Sequence, residues 1–295
     1  MADDTLLETY QAHRTLLFGV AYRMLGRVSD AEDVVQEAWP RWSARDRGEV
    51  RDPRAYLVRI VTRLALDRMR EQERRRETYV GPWLPEPLPT DSLAPTPAPE
   101  GADRAVLADT VSFAVLVMME SLSPLERAVF VLREAFGVGY PEIAEALGRD
   151  QPAVRQLAAR ARRHMAERRP RYTVDPRDQR ELAERFLAAA LDGDVGALLE
   201  SLAADVTLVG DSGGQAKAPR RVIVGADKVS RFLAGVGIKE SEGLVARFAV
   251  FNGCPALYAH TPRGPLGAFL LDVADGRVRH VYLVTNPEKL GHLSS

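Results

Sequence analysis

The chain has 295 residues, about two ordinary domains by length, and its 46% apolar and 27% charged residues exclude collagen-like, wholly disordered and membrane-embedded classes. No apolar run approaches the roughly 18 residues of a spanning helix, and the acidic start Met1-Ala2-Asp3-Asp4 is unlike a basic signal-peptide n-region, so a cytoplasmic protein without membrane contact is expected. A single cysteine, Cys254, allows no internal disulfide and the five histidines are scattered, so neither metal nor cofactor is expected; the formal net charge of −1 speaks neither for nor against nucleic acid.

Residues 3–78 read as helical, with apolar spacings of three and four. Ser29-Asp30-Ala31-Glu32 predicts a capping box, and in the helix to Trp42 the residues Asp30, Asp33 and Glu37 share one face while Ala31, Val34, Val35 and Ala38 turn to a core. That acidic face suits an arginine- or lysine-rich partner, or is an ordinary solvated face near a helix start. Asp52-Pro53 caps a further helix, over 52–76, with a buried stripe of Tyr56, Leu57, Ile60, Leu64 and Met69. Arg54, Arg59, Arg63, Arg68 and Arg70 load its remainder, so phosphates are its expected external target, and Tyr56 either stacks on an unpaired base or belongs to the core.

Prolines from Pro82 to Pro99 preclude regular helix or central strand, so an extended linker of about 20 residues is expected here. A spacer has no need of Trp83, Leu84 and Leu88, which implies that this segment either docks or forms a partly exposed tether. Helix resumes over 103–169, with Ser123-Pro124-Leu125-Glu126 as a capping box. Tyr140 to Gly148, the turn Arg149-Asp150-Gln151 and the basic helix opened by Pro152 form a helix-turn-helix. Its second helix would present Gln151, Arg155, Gln156, Arg160 and Arg163 to a major groove, within a stretch (155–171) that holds seven arginines against Glu167 alone. All four lysines lie beyond residue 210, which marks a change of domain or a coding bias.

Residues 175–295 alternate helices near 175–191, 195–203 and 225–235 with strands near 206–210, 243–251, 256–261, 265–274 and 277–284, an α+β order with Asp275-Gly276 as a hairpin turn. Asp211, His260, Asp272 and His280 are the acid/base candidates of this block, but no pair has the spacing of a catalytic constellation, and no enzyme activity or catalytic residue is assigned.

Tyr10, Ala21 to Gly26 and Ser29 to Ala38 resemble regions 2.1 and 2.2 of the sigma-70 family, and Leu122 to Phe130 with Ile143-Ala144 and Val154 to Arg163 resemble region 4. Trp83-Leu84-Pro85-Glu86-Pro87-Leu88, Asn252 to Leu257 and Asn286-Pro287-Glu288-Lys289-Leu290 are similar to features of one subgroup of the extracytoplasmic-function sigma factors, whose members carry a C-terminal SnoaL-like domain. The resemblance implies a multi-domain chain: an all-α region 2 bundle over 1–79, a linker over 80–102, an all-α region 4 helix-turn-helix domain over 103–171, and an α+β SnoaL-like cone over 175–295. It implies binding of core RNA polymerase, through the β′ clamp helices and the β subunit, by Asp30, Asp33, Gln36, Glu37 and Trp42. Tyr56, Arg59, Arg63, Arg68 and Arg70 would contact the promoter minus-10 element, and the helix-turn-helix the minus-35 element. The linker would thread toward the polymerase active site, and the terminal domain would set activity through an intramolecular contact with the sigma domains or the linker, involving Trp83, Leu84, Pro85, Glu86, Pro87, Asp211, Gly213 and Gly214.

Two departures stand out. Arg63 occupies a place where many relatives have asparagine, so the identity of a captured base does not carry over, and the subgroup's acidic-glycine-lysine loop reads Asp211 to Lys217, with the lysine displaced by two residues. Competing readings are a one-component regulator whose cone senses a small ligand, and an isomerase or cyclase fused to a DNA-binding module; the first leaves the acidic helix and the 52–76 helix without a task.

Overall fold

The computed structural model describes residues 2–44, 50–76, 78–90, 112–168, 176–235 and 243–294; the helix expected over 103–111 and the linker residues 91–102 lie outside the described residues. The chain divides into two compact units, 1–77 with 91–169, and 78–90 with 170–295.

In the first unit, helices α1 (Ala2–Leu25), α2 (Val28–Ser43) and α3 (Pro53–Arg76) pack through Leu17, Val20, Tyr22, Met24, Val34, Val35, Leu57, Val61 and Ala65, all buried. The four apolar residues expected inside α2 are among the buried ones. The capping box expected at Ser29 does not form: α2 starts two residues earlier, with extended Arg27 as its N-cap and no side-chain bond there. Burial of Val28 at 8% exposure explains the shift, because starting the helix at Val28 turns that side chain inward. At α3, Asp52 accepts from the Ala55 amide at 3.0 Å, the cap the sequence predicts.

Helices α4 (Phe113–Met119) and α5 (Pro124–Phe130) follow, the latter opened by a complete capping box between Ser123 and Glu126. The Ser123 hydroxyl, then its amide, hold the Glu126 carboxyl below its ordinary range, with Arg160 adding to the effect. A π turn, Val131–Ala135, extends α5 and was not legible beforehand. Helices α6 (Tyr140–Leu147) and α7 (Gln151–Arg168) are joined through left-handed Gly148 and the Asp150 carboxylate, which accepts from the Ala153 amide at 2.7 Å. Ile143, Ala144, Val154 and Leu157 bury the angle between them.

The second unit places α8 (Pro176–Asp192), α9 (Val195–Ser201) and α10 (Ala226–Gly235) on a six-stranded sheet. Its strands are β1 (Leu202–Asp211), β2 (Ile223–Val224), β3 (Val245–Phe251), β4 (Cys254–Thr261), β5 (Gly264–Ala274) and β6 (Arg277–Val284), in the order β2-β1-β6-β5-β4-β3. Only β1 and β6 run parallel. Asp275 and Gly276, both with positive φ, turn the β5–β6 hairpin. Helical elements followed by a C-terminal α+β sheet domain is thus the fold class observed, as expected; the short edge strand β2 was missed, its two residues being too few to show alternation.

Strand alternation gives the sheet two different faces. Leu208, Leu257, Phe269, Leu271, Val281 and Leu283 join Phe186, Leu198, Val229 and Leu233 of the helices in one core. Ala256, Ala268, Leu270 and Val284 point the other way, yet each is 0% exposed. Segment 78–90 and two C-terminal 3-10 turns, Pro287–Lys289 and Gly291–Ser294, lie against that second face.

Candidate functional site

Residues 78–90 run across the second face of the sheet as a strap whose main chain is gripped by side chains. Asp211 ends β1 at 0% exposure and accepts from the Leu84 amide at 2.7 Å, the Tyr79 hydroxyl at 2.6 Å, the Gly213 amide at 3.2 Å and the Lys289 ammonium at 2.7 Å. Lys289, 1% exposed, also donates to the Leu84 carbonyl and lies 4.0 Å from the Trp83 ring centroid. A buried ion pair is tolerable only when its remaining hydrogen-bonding capacity is filled, and here the strap supplies several of those partners. Further along, Asn252 accepts from the Leu88 amide at 2.8 Å and its own amide donates to the Leu88 carbonyl at 2.9 Å, His292 bonds the Pro87 carbonyl at 2.8 Å, and Thr90 donates to the Val250 carbonyl at 3.0 Å. Leu84 and Leu88 are buried at 0% and 5%.

Of the residues singled out for a regulatory contact, Leu84, Pro85, Glu86 and Pro87 are all buried in this strap, and Trp83 is half-buried over Lys289. Gly213 has φ +56°, and a β-carbon there would meet the Asn286 amide at 2.5 Å; one at Gly214 would come within 3.2 Å of Val80. Lysine in the seat is Lys289, from the Asn286 to Leu290 segment; Lys217, displaced in the loop, contributes its carbonyl to Thr285. Tyr79, Asn252, Lys289 and His292 were not singled out as site residues, although Asn252 and Lys289 stand in stretches that carry the subgroup resemblance; the strap residues that Asn252, Lys289 and His292 bond are 164 to 205 positions away in the chain.

In the helical unit, Asp33, Gln36 and Glu37 are exposed on α2, whereas Asp30 is half-buried and accepts from Gln72 at 2.7 Å. Trp42 is not on that surface: at 4% exposure, with its indole donating to the Leu6 carbonyl at 3.0 Å, it belongs to the packing of α1 on α2, since a ring of that size gains more from burial than from water contact. The arginines of α3 are committed unevenly. Arg59 pairs with Glu145 and lies 4.8 Å from the Tyr56 ring, while Arg63 donates to the carbonyls of Ala146 at 2.9 Å and Glu145 at 3.2 Å, at the C-terminal end of α6. Arg68 stands 4.0 Å from both Asp33 and Glu71, and Arg70 pairs with Asp67 at 2.7 Å. Between α3 and α6 lies an open cleft of about 330 Å³ lined by Arg51, Tyr56, Arg59, Glu142 and Glu145.

On α7, Gln151, Arg155, Gln156, Arg160 and Arg163 are all exposed. Arg160 pairs with Glu126 at 3.0 Å, and Arg162 with Glu134 at 2.8 Å, a carboxylate that raises the guanidinium's pKa further. Beneath them, Arg127 is 2% exposed and bonds Glu120 and the Arg23 carbonyl, and burial depresses Arg23 to about 10.

Residues 9–75 match the family model Sigma-70 region 2, and 112–165 match Sigma-70, region 4. The extracytoplasmic-function RNA polymerase sigma factor SigJ of Mycobacterium tuberculosis is 39% identical over 290 residues, 95% of this chain and 91% of that protein. The chain belongs to the extracytoplasmic-function sigma factors. A second sigma factor of this family from the same organism, SigI, is 34% identical over 98% of this chain and 96% of its own length. The crystal structure of SigJ superposes with a TM-score of 0.74 at 35% identity, covering 97% of this chain and 98% of that one. The similarity of this sigma factor to SigJ therefore includes the C-terminal cone as well as the sigma regions.

Of the four acid/base candidates of the cone, Asp272 and His280 come together, while Asp211 and His260 are engaged elsewhere. Asp211 is spent on Lys289 and the strap, and His260 stacks on Tyr258 at 5.7 Å. Asp272 is 3.8 Å from His280, whose other ring nitrogen contacts the Thr207 hydroxyl at 2.7 Å, on the face turned away from the helices. Burial raises the Asp272 pKa, against the opposing pull of His280 and Arg279. No helix among the described residues is long and apolar enough to cross a membrane.

Proposed function

We propose that this sigma factor binds core RNA polymerase, directs it to a two-element promoter and performs no covalent chemistry itself, acting in the cytoplasm. The exposed acids Asp33 and Glu37 with Gln36 between them, and Asp30 at their edge, suit a basic helical partner such as the β′ clamp helices, with the β subunit as a second contact. Arginines of α3 with Tyr56 suit the melted minus-10 strand, and the exposed face of α7 suits the minus-35 duplex. The observation that carries this reading is the pairing, within one helical unit, of an exposed acidic face on α2 and an exposed basic face on α7, in a chain 39% identical to a sigma factor over nearly its whole length. Reading the chain as a one-component regulator leaves the α2 face unused.

The domain reading follows: region 2 over 1–79, region 4 over 103–171, and a regulatory cone over 175–295 that acts through the linker. While residues 78–90 sit in their seat they cannot thread toward the polymerase active site, and Arg59 and Arg63 cannot hold promoter DNA while they bind α6. Tethering favours the seated state, because a short connector gives an effective concentration near the millimolar range. Run-off transcription with core polymerase tests this, comparing the full chain with versions ending near Arg171 and partway through the cone; equal activity in all would dismiss regulation. Co-elution with core polymerase, lost on reversing the charges of Asp30 and Asp33, tests the polymerase contact.

A further inference from the structure

Three arginines from separate turns converge on one ring at the start of α6. The Arg133 guanidinium lies 4.8 Å from the Tyr140 ring centroid and donates to the Val138 carbonyl at 3.1 Å. Arg155, from the second turn of α7, lies 5.7 Å from the same centroid. Arg162 donates to the Tyr140 hydroxyl at 2.6 Å and to Glu134 at 2.8 Å. Among the described residues, Glu134 is the carboxylate paired with this group, so three guanidiniums less one carboxylate leave a surplus of two positive charges. Like charges repel, and exposed cation–π contacts offset that only in part. The positive end of α6, whose N-cap Gly139 has no side chain to satisfy the first amides, faces Glu142 of its own first turn, so the surplus rests on the three guanidiniums and not on the helix end. A preformed cationic platform beside a recognition helix is matched by a polyanion that brings charge without needing to be read, namely a nucleic-acid backbone.

We propose that Tyr140 is the platform of a phosphate seat in which Arg133, Arg155 and Arg162 hold the DNA backbone beside the recognition helix, so that Arg155 anchors phosphate and does not read a base. This rests on reading α6 and α7 as the duplex-binding element. Tyr140 is a positioning residue: its ring holds Arg133 and Arg155, and its hydroxyl holds Arg162.

The test uses the full chain assembled with its cognate core RNA polymerase and a duplex pool of randomised sequence, with binding followed against salt and the bound fraction sequenced. Arg155→Gln is expected to weaken binding of the whole pool about tenfold, to lower the log–log salt slope by about 0.9, and to leave the enriched sequence unchanged. Tyr140→Ala should reproduce that pattern, Tyr140→Phe should fall between it and the parent, and Gln156→Ala should change the enriched sequence instead. A changed base preference in Arg155→Gln, or unchanged affinity and slope, overturns the seat. Because Arg155 is exposed, its variant decides the matter even if Tyr140→Ala lowers the thermal stability of the helical unit. If the parent holoenzyme enriches no sequence at all, the sigma reading itself fails and the seat falls with it.

Discussion

The strap seat on the cone and the arginine contacts of α3 on α6 both join distant parts of the chain through charge, but they do so in opposite surroundings. In the seat, Asp211 and Lys289 are 0% and 1% exposed, and the strap main chain completes their coordination. Between α3 and α6, the Glu145 side chain is 68% exposed, and the Arg59 ion pair works in water. Burial makes the first contact all-or-none, because a lone buried charge is far costlier than either the pair or its absence. Exposure makes the second adjustable, because screening and side-chain entropy nearly cancel its attraction. Strap docking is thus expected to be lost as a piece, and the α3–α6 ion pair to yield gradually to salt.

The contrast can be broken experimentally. Lys289→Ala strands the Asp211 carboxylate and should cost about 3–5 kcal/mol of strap docking, seen as loss of amide-exchange protection over residues 78–90. Protection retained at the parent level would remove the distinction between the two regions. Asn252→Ala leaves the buried Leu88 amide without its acceptor and should cost about 1–3 kcal/mol, read in the same experiment at Leu88 and its neighbours. Arg59→Ala should change the stability of the helical unit by no more than about 1 kcal/mol, and urea titrations in low and high salt should converge. The smallest effect is a slope. A carboxyl raised by burial holds its proton in the fold above the pH at which the unfolded chain releases it, so Asp272 costs stability as pH rises from the ordinary carboxylate range through its raised value. Asp272→Asn should flatten urea-midpoint profiles of the full chain across that window, and a profile unchanged by the substitution would assign the slope elsewhere.

Legibility followed the range of the interaction. Ser123 and Glu126, three residues apart, form the cap their spacing predicts, and Asp275-Gly276 turns the hairpin it marks. Ser29 offered the same signal and lost to the burial of Val28, one residue earlier. Trp83, Leu84 and Leu88 are too apolar for a free spacer, which signalled docking without saying where; the partner residues were scattered from Asp211 to His292 and carried no common spacing. Lys217 drew attention in the altered loop, but register places Asp211 at the end of β1 beside Val284 of β6, within reach of the turn that carries Lys289.

By itself the sequence determined the longer elements, their order, the charge carried by each helix and the family to which the chain belongs, since these depend on periodicity, φ preference and contiguous motifs. Only the tertiary structure decided which lysine neutralises Asp211, that Trp42 lies inside, that Arg59 and Arg63 face α6, and that three arginines share Tyr140. Those outcomes turn on burial and on distances between residues far apart in the chain, where the cost of a stranded charge or an unfilled hydrogen bond selects one partner among several that local chemistry leaves equivalent.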